Sequence, residues 1–198
     1  MVRELSTEKR KKFLNAALAL FVSKGVQNTT TAEIAKAAGA ATGTLFLYFP
    51  SKQDLINALV LNITQEQSTY IKSLLDPALS VRDTFLTVWT GSVRWFLDNP
   101  QAYQYSQQIR DSGLVSEAVA RETGKYFSFY YETIQKGLTE GRIKPFPIDL
   151  IGGFLYQEIV AVMNYLRLQA DPAGQAQSIR QGFELFWDGI SIKGTSND

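Results

Sequence analysis

Apolar residues recur along this chain at helical spacing almost from end to end. Phe13, Ala16, Ala17 and Leu20 follow an i, i+3, i+4, i+7 pattern that predicts a first helix, with Gly25 as its stop. Thr30-x-x-Glu33 has the form of a capping box and opens a short second helix over about residues 31–38, with Ile34, Ala35 and Ala38 on one side and Gly39 at its end. A third short helix runs to Tyr48. Pro50 then breaks the chain, because proline disfavours helix at the residue before it. Ser51-x-x-Asp54 caps a fourth, longer helix to about Leu74, ended by Asp76-Pro77. Ser80-x-x-Asp83 opens another that stops at Asn99-Pro100, followed by a polar segment holding Gln101, Gln104, Gln107 and Gln108 that ends near Gly113. Ser116 caps a long helix to about Glu140, with Gly141 as its stop, and residues 142–147 read as a connector. Two final helices, 149–170 and 173–190, are separated by Asp171-Pro172, and 191–198 reads as a frayed tail. No sustained period-2 alternation is bounded by hairpin turns, so the predicted fold class is all-α.

Composition narrows the chemistry. The 198 residues suffice for one or two domains, and a chain of this size buries roughly 70% of its unfolded surface. There is no cysteine and no histidine. Disulfides, thiol nucleophiles, thiolate metal sites, Ser-His-Asp triads and imidazole bases are therefore excluded. A carboxylate-only site for Mg²⁺ or Ca²⁺ stays open. The candidate acid–base groups Glu132, Glu158 and Glu184 are scattered and read as surface charges, so neither catalysis nor a cofactor is expected. The longest unbroken apolar run, residues 16–22, is far short of the ~20 residues a bilayer needs. Lysines and arginine at 9–12 followed by an apolar stretch mimic a signal peptide, but Asn15 interrupts that stretch and Ser23-Lys24-Gly25 reads as a helix end rather than a cleavage site. A soluble cytoplasmic protein without membrane contact is the expectation.

The formal net charge of +1 hides a segregation. Residues 1–53 carry eight basic side chains against three acidic ones, a net +5, and residues 54–198 carry twelve against sixteen, a net −4. A basic head suits a polyanion through phosphate neutralisation and counterion release. Charge alone is equally compatible with a solvated, lysine-rich first turn.

Three short helices with a glycine turn between the second and third have the helix-turn-helix form. Gly39 tolerates the dihedrals of the turn, Ile34, Ala35 and Leu45 supply a compact interface, and Ala40, Ala41, Thr42, Gly43 and Thr44 keep the third helix narrow enough for a groove ~12 Å wide. The local string is more specific. Phe13-Leu14-Asn15-Ala16-Ala17, Phe21, Gly25, Thr30-Thr31-Ala32-Glu33-Ile34-Ala35, Ala38-Gly39, Gly43-Thr44-Leu45-Phe46-Leu47-Tyr48-Phe49 and Ser51-Lys52 together resemble the start of the TetR family of transcriptional repressors. The resemblance is unbroken from about residue 10 to residue 60; the remainder suits that family in helix number and length only.

The resemblance implies that the third helix enters the major groove and that the first turn of the fourth touches the backbone. Lys52 beside a helix N-terminus suits phosphate, as do the hydroxyls of Thr44 and Tyr48 at i and i+4 and that of Thr31. Base reading falls to Ala41, Thr42, Phe46 and Leu47, whose apolar atoms suit thymine methyls more than guanine edges, with Gly43 among them. Two departures stand out. Ala41 occupies a position where the family commonly has Ser or Thr, which removes an N-cap at a cost of ~1 kcal/mol. Thr42 stands where a long polar residue is frequent. No Arg, Lys, Asn or Gln lies between Ala40 and Phe49, so the expectation is modest direct readout with a larger share from phosphates and DNA shape. Arg3, Lys9 and Arg10 read either as an arm that contacts DNA or as a disordered tail. Leu45 and Phe49 read as core.

By this reading residues 1–51 form the DNA-binding domain and residues 52–198 an effector-binding and dimerisation domain. Aromatic stripes mark the latter: Phe85, Trp89 and Phe96, then Tyr126, Phe127, Tyr130 and Tyr131, then Phe154, Tyr156 and Tyr165. Each stripe alone suits a core. Together with Gln157 they suit a pocket with a few polar anchors, and the resemblance implies an effector site there. Trp89, Tyr103, Phe127, Tyr131 and Gln157 are its expected lining, for a planar or apolar compound. Gly152, Gly153, Gly182 and Gly189 among large apolar residues suggest close helix approach. The resemblance implies a homodimer through the last two helices, with recognition helices about 34–36 Å apart on a pseudo-palindromic operator. The expected function is a ligand-released repressor. The alternative is a helical small-molecule-binding protein without DNA function.

Overall fold

A computed structural model describes residues 5–110, 112–168 and 171–192. Its elements are α1 (Thr7–Lys24), α2 (Thr31–Ala37), α3 (Thr42–Tyr48), α4 (Lys52–Leu74), α5 (Val81–Asp98), α6 (Pro100–Arg110), α7 (Glu117–Tyr126), α8 (Ser128–Thr139), α9 (Ile148–Leu166) and α10 (Pro172–Ile190). No strand occurs among the described residues, so the all-α class holds. None of the described helices is long and apolar enough to cross a membrane.

Helix ends follow local side-chain chemistry. Thr30 and Glu33 form the expected capping box at α2, with the Glu33 amide donating to Thr30 Oγ1 at 3.2 Å and the Thr30 amide to Glu33 Oε2 at 2.8 Å. Ser51 and Ser80 each accept from the amide three residues on at 3.1 Å and donate to that residue's carboxylate at 2.7 Å. Ser6 caps α1 by accepting from the Lys9 amide. Ala41 at the start of α3 offers no such bond, as its methyl side chain dictates. Gly25 and Gly39 adopt φ of +85° and +69°, a left-handed backbone that residues carrying a β-carbon rarely adopt.

The chain packs as two compact units. The first comprises residues up to 66 together with 99–126, and the second comprises 67–98 together with the residues from 127 onward. In the first, α1 packs against both α2 and α6, and α2 against α3. Phe13, Leu14, Ala17 and Phe21 of α1 are buried, as are Ile34, Leu45, Phe49 and Leu55. The glutamine-rich segment is α6, with Pro100 at its first position, where the missing N–H is harmless. It buries Tyr103 and Tyr105. Tyr105 stacks on Phe21 at 5.9 Å between ring centroids, and its hydroxyl donates to the Ile56 carbonyl. Burial pushes that phenol far above its ordinary range. This packing unit is larger than residues 1–51 alone, because α6 supplies part of the cover for α1.

In the second unit α5 packs against α8, α9 and α10, and α9 against α10. Val81, Phe85, Val88, Trp89, Val93 and Phe96 form the buried stripe of α5. Trp89 is fully buried between Phe183 and Phe186, and its indole N–H donates to the Ile179 carbonyl at 2.8 Å.

Two expectations are corrected. The single helix over 116–140 is two, because Phe127 (φ −104°, ψ 27°) leaves helical geometry between α7 and α8. The break falls where the chain passes from the first unit to the second, in an aromatic-rich stretch of modest helix propensity. Residues 191–192 do not fray. Ser191 pairs antiparallel with Ile143, the Lys144 amide donates to the Ile190 carbonyl at 2.7 Å, and the Ile192 amide donates to the Arg142 carbonyl at 3.0 Å. Burial of Ile143 anchors this pairing. Residues 193–198 lie outside the described residues.

Candidate nucleic-acid interface

The turn at Gly39 delivers the chain into α3, and α3 is fastened from beneath. Leu45 is fully buried, and Phe49 places its ring edge-on to Phe13 at 6.4 Å. Both act as core, as expected. With Leu45 inward, the opposite face of the seven-residue helix is presented to solvent. Ala41, Gly43, Phe46 and Leu47 are exposed, while Thr42, Thr44 and Tyr48 are half-buried. Leu47 is 68% exposed and Phe46 42%, so two adjacent side chains with no polar atom face solvent. Lys52, half-buried, is the first residue of α4, and Thr31, also half-buried, is the first of α2. All nine residues expected to touch DNA lie in the first unit.

Tyr48 has a role the sequence pattern did not reveal. Its hydroxyl accepts from the Ser6 amide at 3.0 Å, and its ring lies 5.5 Å from that of Phe13. The end of α3 is thereby tied to the start of α1. Its hydroxyl proton stays available to donate. Of the residues read as an arm or a disordered tail, Lys9 and Arg10 are helical residues of α1, and the Arg10 guanidinium lies 5.4 Å over the Phe49 ring. Arg3 lies outside the described residues.

The acidic groups of the head are used internally. Glu33 pairs with Lys24 while serving the capping box, and Lys24 and the Thr30 donors hold its carboxyl down at about 2. Glu8 pairs with Lys12 at 2.9 Å, which lowers its carboxyl as well. Among the described residues no ion pair engages Lys9, Lys11, Lys36 or Lys52. The positive charge of the head is thus left for an external anion.

The five residues expected to line an effector pocket divide between the two units. Tyr103 belongs to the first unit and is buried there. Trp89, Phe127, Tyr131 and Gln157 belong to the second. Trp89 is packed core with its N–H satisfied, Phe127 is half-buried at the α7–α8 break, and Tyr131 and Gln157 are exposed. Tyr131 lines an open groove of about 580 Å³ with Glu132, Gln135, Lys136, Thr139, Glu140 and Ile148. Two polar groups in the second unit have no such accommodation. Tyr130 Oη and Glu158 Oε2 are buried without a hydrogen-bond partner. Burial raises the Glu158 carboxyl above the ordinary carboxylate range and pushes the Tyr130 phenol well up. Glu158 is therefore no simple surface charge, a correction that helix periodicity alone does not provide, since it sits at the flank of the buried stripe of α9. Glu184 pairs with Arg82, and no group of three carboxylates able to hold a metal occurs among the described residues.

Residues 13–59 match the family model described as bacterial regulatory proteins, tetR family. Along most of its length the chain is similar to the HTH-type transcriptional regulator SrpR of Pseudomonas putida, with 25% identity over 191 residues, covering 91% of this chain and 84% of that one. A crystal structure described as a tetR family transcription regulator from Shewanella sp. PV-4 superposes with a TM-score of 0.88 at 30% identity, over 93% of this chain and 99% of that one. A second, from Marinobacter aquaeolei VT8, superposes with a TM-score of 0.84 at 22% identity, over 93% and 96%.

Proposed function

This chain belongs to the TetR family of transcriptional regulators, which bind DNA and act as dimers and are not enzymes, and on that premise we propose that it is a ligand-responsive repressor of a pseudo-palindromic operator. The observation that carries the DNA-binding half is the exposed face of α3 flanked by unpaired lysines. Lys52, Thr31, Thr44 and the Tyr48 hydroxyl proton would position the backbone, and Ala41, Thr42, Gly43, Phe46 and Leu47 would face base edges. Functionally we divide the chain at residue 51, although α6 packs with the head.

Dimerisation is assigned to the outer faces of α9 and α10. Leu150, Phe154 and Tyr165 of α9 and Leu185 of α10 are about half or more exposed. Gly153 and Gly189 are exposed beside them, with open space where a β-carbon would stand. An apolar surface with small residues suits self-association about a two-fold axis. The effector site is assigned to the second unit, where Tyr130 Oη and Glu158 Oε2 lack partners. A compound with an apolar or aromatic body and polar groups able to pair with a phenol or a carboxyl suits such surroundings. Its influence on operator affinity is limited to its differential affinity for the two states.

The test is fluorescence anisotropy of an operator duplex, selected from random DNA by the full chain, titrated across salt. The expected result is a steep negative log–log slope. K52A should make it shallower by about one for each lost phosphate contact. A salt-independent affinity, or K52A and Y48F both indistinguishable from the parent, would refute the DNA-binding assignment.

A further inference from the structure

The glycine at position 43 has no structural reason to be there. It lies within α3 with ordinary helical φ, since it is absent from the positive-φ glycines. A β-carbon built on it meets nothing within 4 Å. Alanine at that place would satisfy the backbone and favour the helix. What the glycine does is lower the surface one turn before Leu47, since residues four apart share a helix face. The outward face of α3 is then a shallow step: no side chain at 43, the isobutyl group of Leu47 beside it, and the ring of Phe46 at the flank. The long polar side chains that read a base edge by paired hydrogen bonds are missing from Ala40 to Phe49.

An exposed apolar patch flanked in sequence by unpaired lysines has a contradictory character. Lys36 and Lys52 draw the surface onto a polyanion, yet the patch offers nothing to its phosphates. In the major groove there is one apolar group for such a patch to cover, the 5-methyl carried by thymine. Resting on the DNA-binding assignment above, we propose that Leu47 and Phe46, over the step left by Gly43, form a reader of pyrimidine 5-methyl groups. Specificity then comes from methyl positions in the half-site rather than from donor and acceptor patterns. Because the recognised feature is the methyl and not the rest of the base edge, a 5-methylcytosine presenting its methyl at the same groove position is accepted where cytosine is not.

The experiment uses the full chain and a duplex it selects from a random pool. Thymines in each half-site are replaced one at a time by deoxyuridine, which keeps every hydrogen-bonding atom and loses only the methyl. Replacement at one or more half-site positions should weaken binding about fourfold per methyl covered. L47A, whose side chain is largely in solvent, should fold normally and lose the thymine preference at the positions Leu47 covers. A 5-methylcytosine·guanine pair at a sensitive position should bind more tightly than cytosine·guanine there. If wild-type affinity is unchanged by uracil at every half-site position, the methyl reader is overturned while DNA binding stands. If L47A keeps the full thymine preference, the assignment to Leu47 is overturned. If the chain selects no duplex, both this inference and the DNA-binding assignment fall.

Discussion

Gly43 and Gly182 are both glycines inside helices, and their surroundings are opposite. Gly182 of α10 is buried where α10 meets α9 and α5. A β-carbon there would run into Val162 Cγ2 and Trp89 Cζ2. Gly43 of α3 faces open space. A glycine in mid-helix sacrifices some stability in either case. In the second unit the sacrifice is returned by close packing. On the exposed face of the first it is returned by nothing in the chain. The contrast separates residues chosen for the fold from residues chosen for what the fold meets, and it extends to whole helices. The apolar stripe of α5 is buried from Val81 to Phe96, whereas the apolar pair Phe46 and Leu47 of α3 stands in solvent.

The strongest way to break this contrast is W89A. It empties a fully buried site and leaves the Ile179 carbonyl without its donor, so a loss of about 3–5 kcal/mol in chemical denaturation is expected. A loss under about 1 kcal/mol would mean that the second unit is not organised around this residue. Next comes the glycine pair itself. G182A should cost about 1–3 kcal/mol through overpacking, with a matching fall in thermal midpoint. G43A should raise stability by up to about 1 kcal/mol and yet weaken operator binding. Equal stability effects for the two would erase the distinction.

The smallest effect tests the electrostatics of the head. Glu33 is held at about 2 in the folded chain against an ordinary 4.5. A lowered carboxyl contributes stability that is fully present above the unfolded value and is lost as pH falls toward the folded one. Thermal melts should therefore decline between about pH 4.5 and 2, and E33Q should flatten that decline. Because Glu33 is solvent-facing, the shift is small and sensitive to salt. An identical pH profile for E33Q would remove the Glu33 carboxylate from the account of that decline.

Much of the molecule was legible in the order of residues because it is local. Thr30 and Glu33, Ser51 and Asp54, and Ser80 and Asp83 are three apart, and a capping bond needs no partner from elsewhere. Leu45 and Phe49 were recognisable as core from their spacing, and Ala41 as an uncapped start from its side chain. The candidate interface was readable for the same reason, since α2, α3 and the first residue of α4 form one continuous stretch. The surroundings of the residues proposed for the effector site were not. Trp89, Tyr103, Tyr131 and Gln157 have the right chemistry, but whether an aromatic on a helix faces a cavity, a core or solvent depends on neighbours distant in sequence.

By itself, then, the chain determined its helices, their caps, its charged head and the apolar, lysine-flanked character of α3, all written within a few residues of one another. Tertiary structure decided what depends on contacts across long separations. It joined α6 to α1 through Tyr105 and Phe21. It tied Tyr48 to Ser6, parted α7 from α8 at Phe127, and buried Glu158 Oε2 and Tyr130 Oη without partners. Helix periodicity states that a face is apolar; only packing determines whether that face is covered.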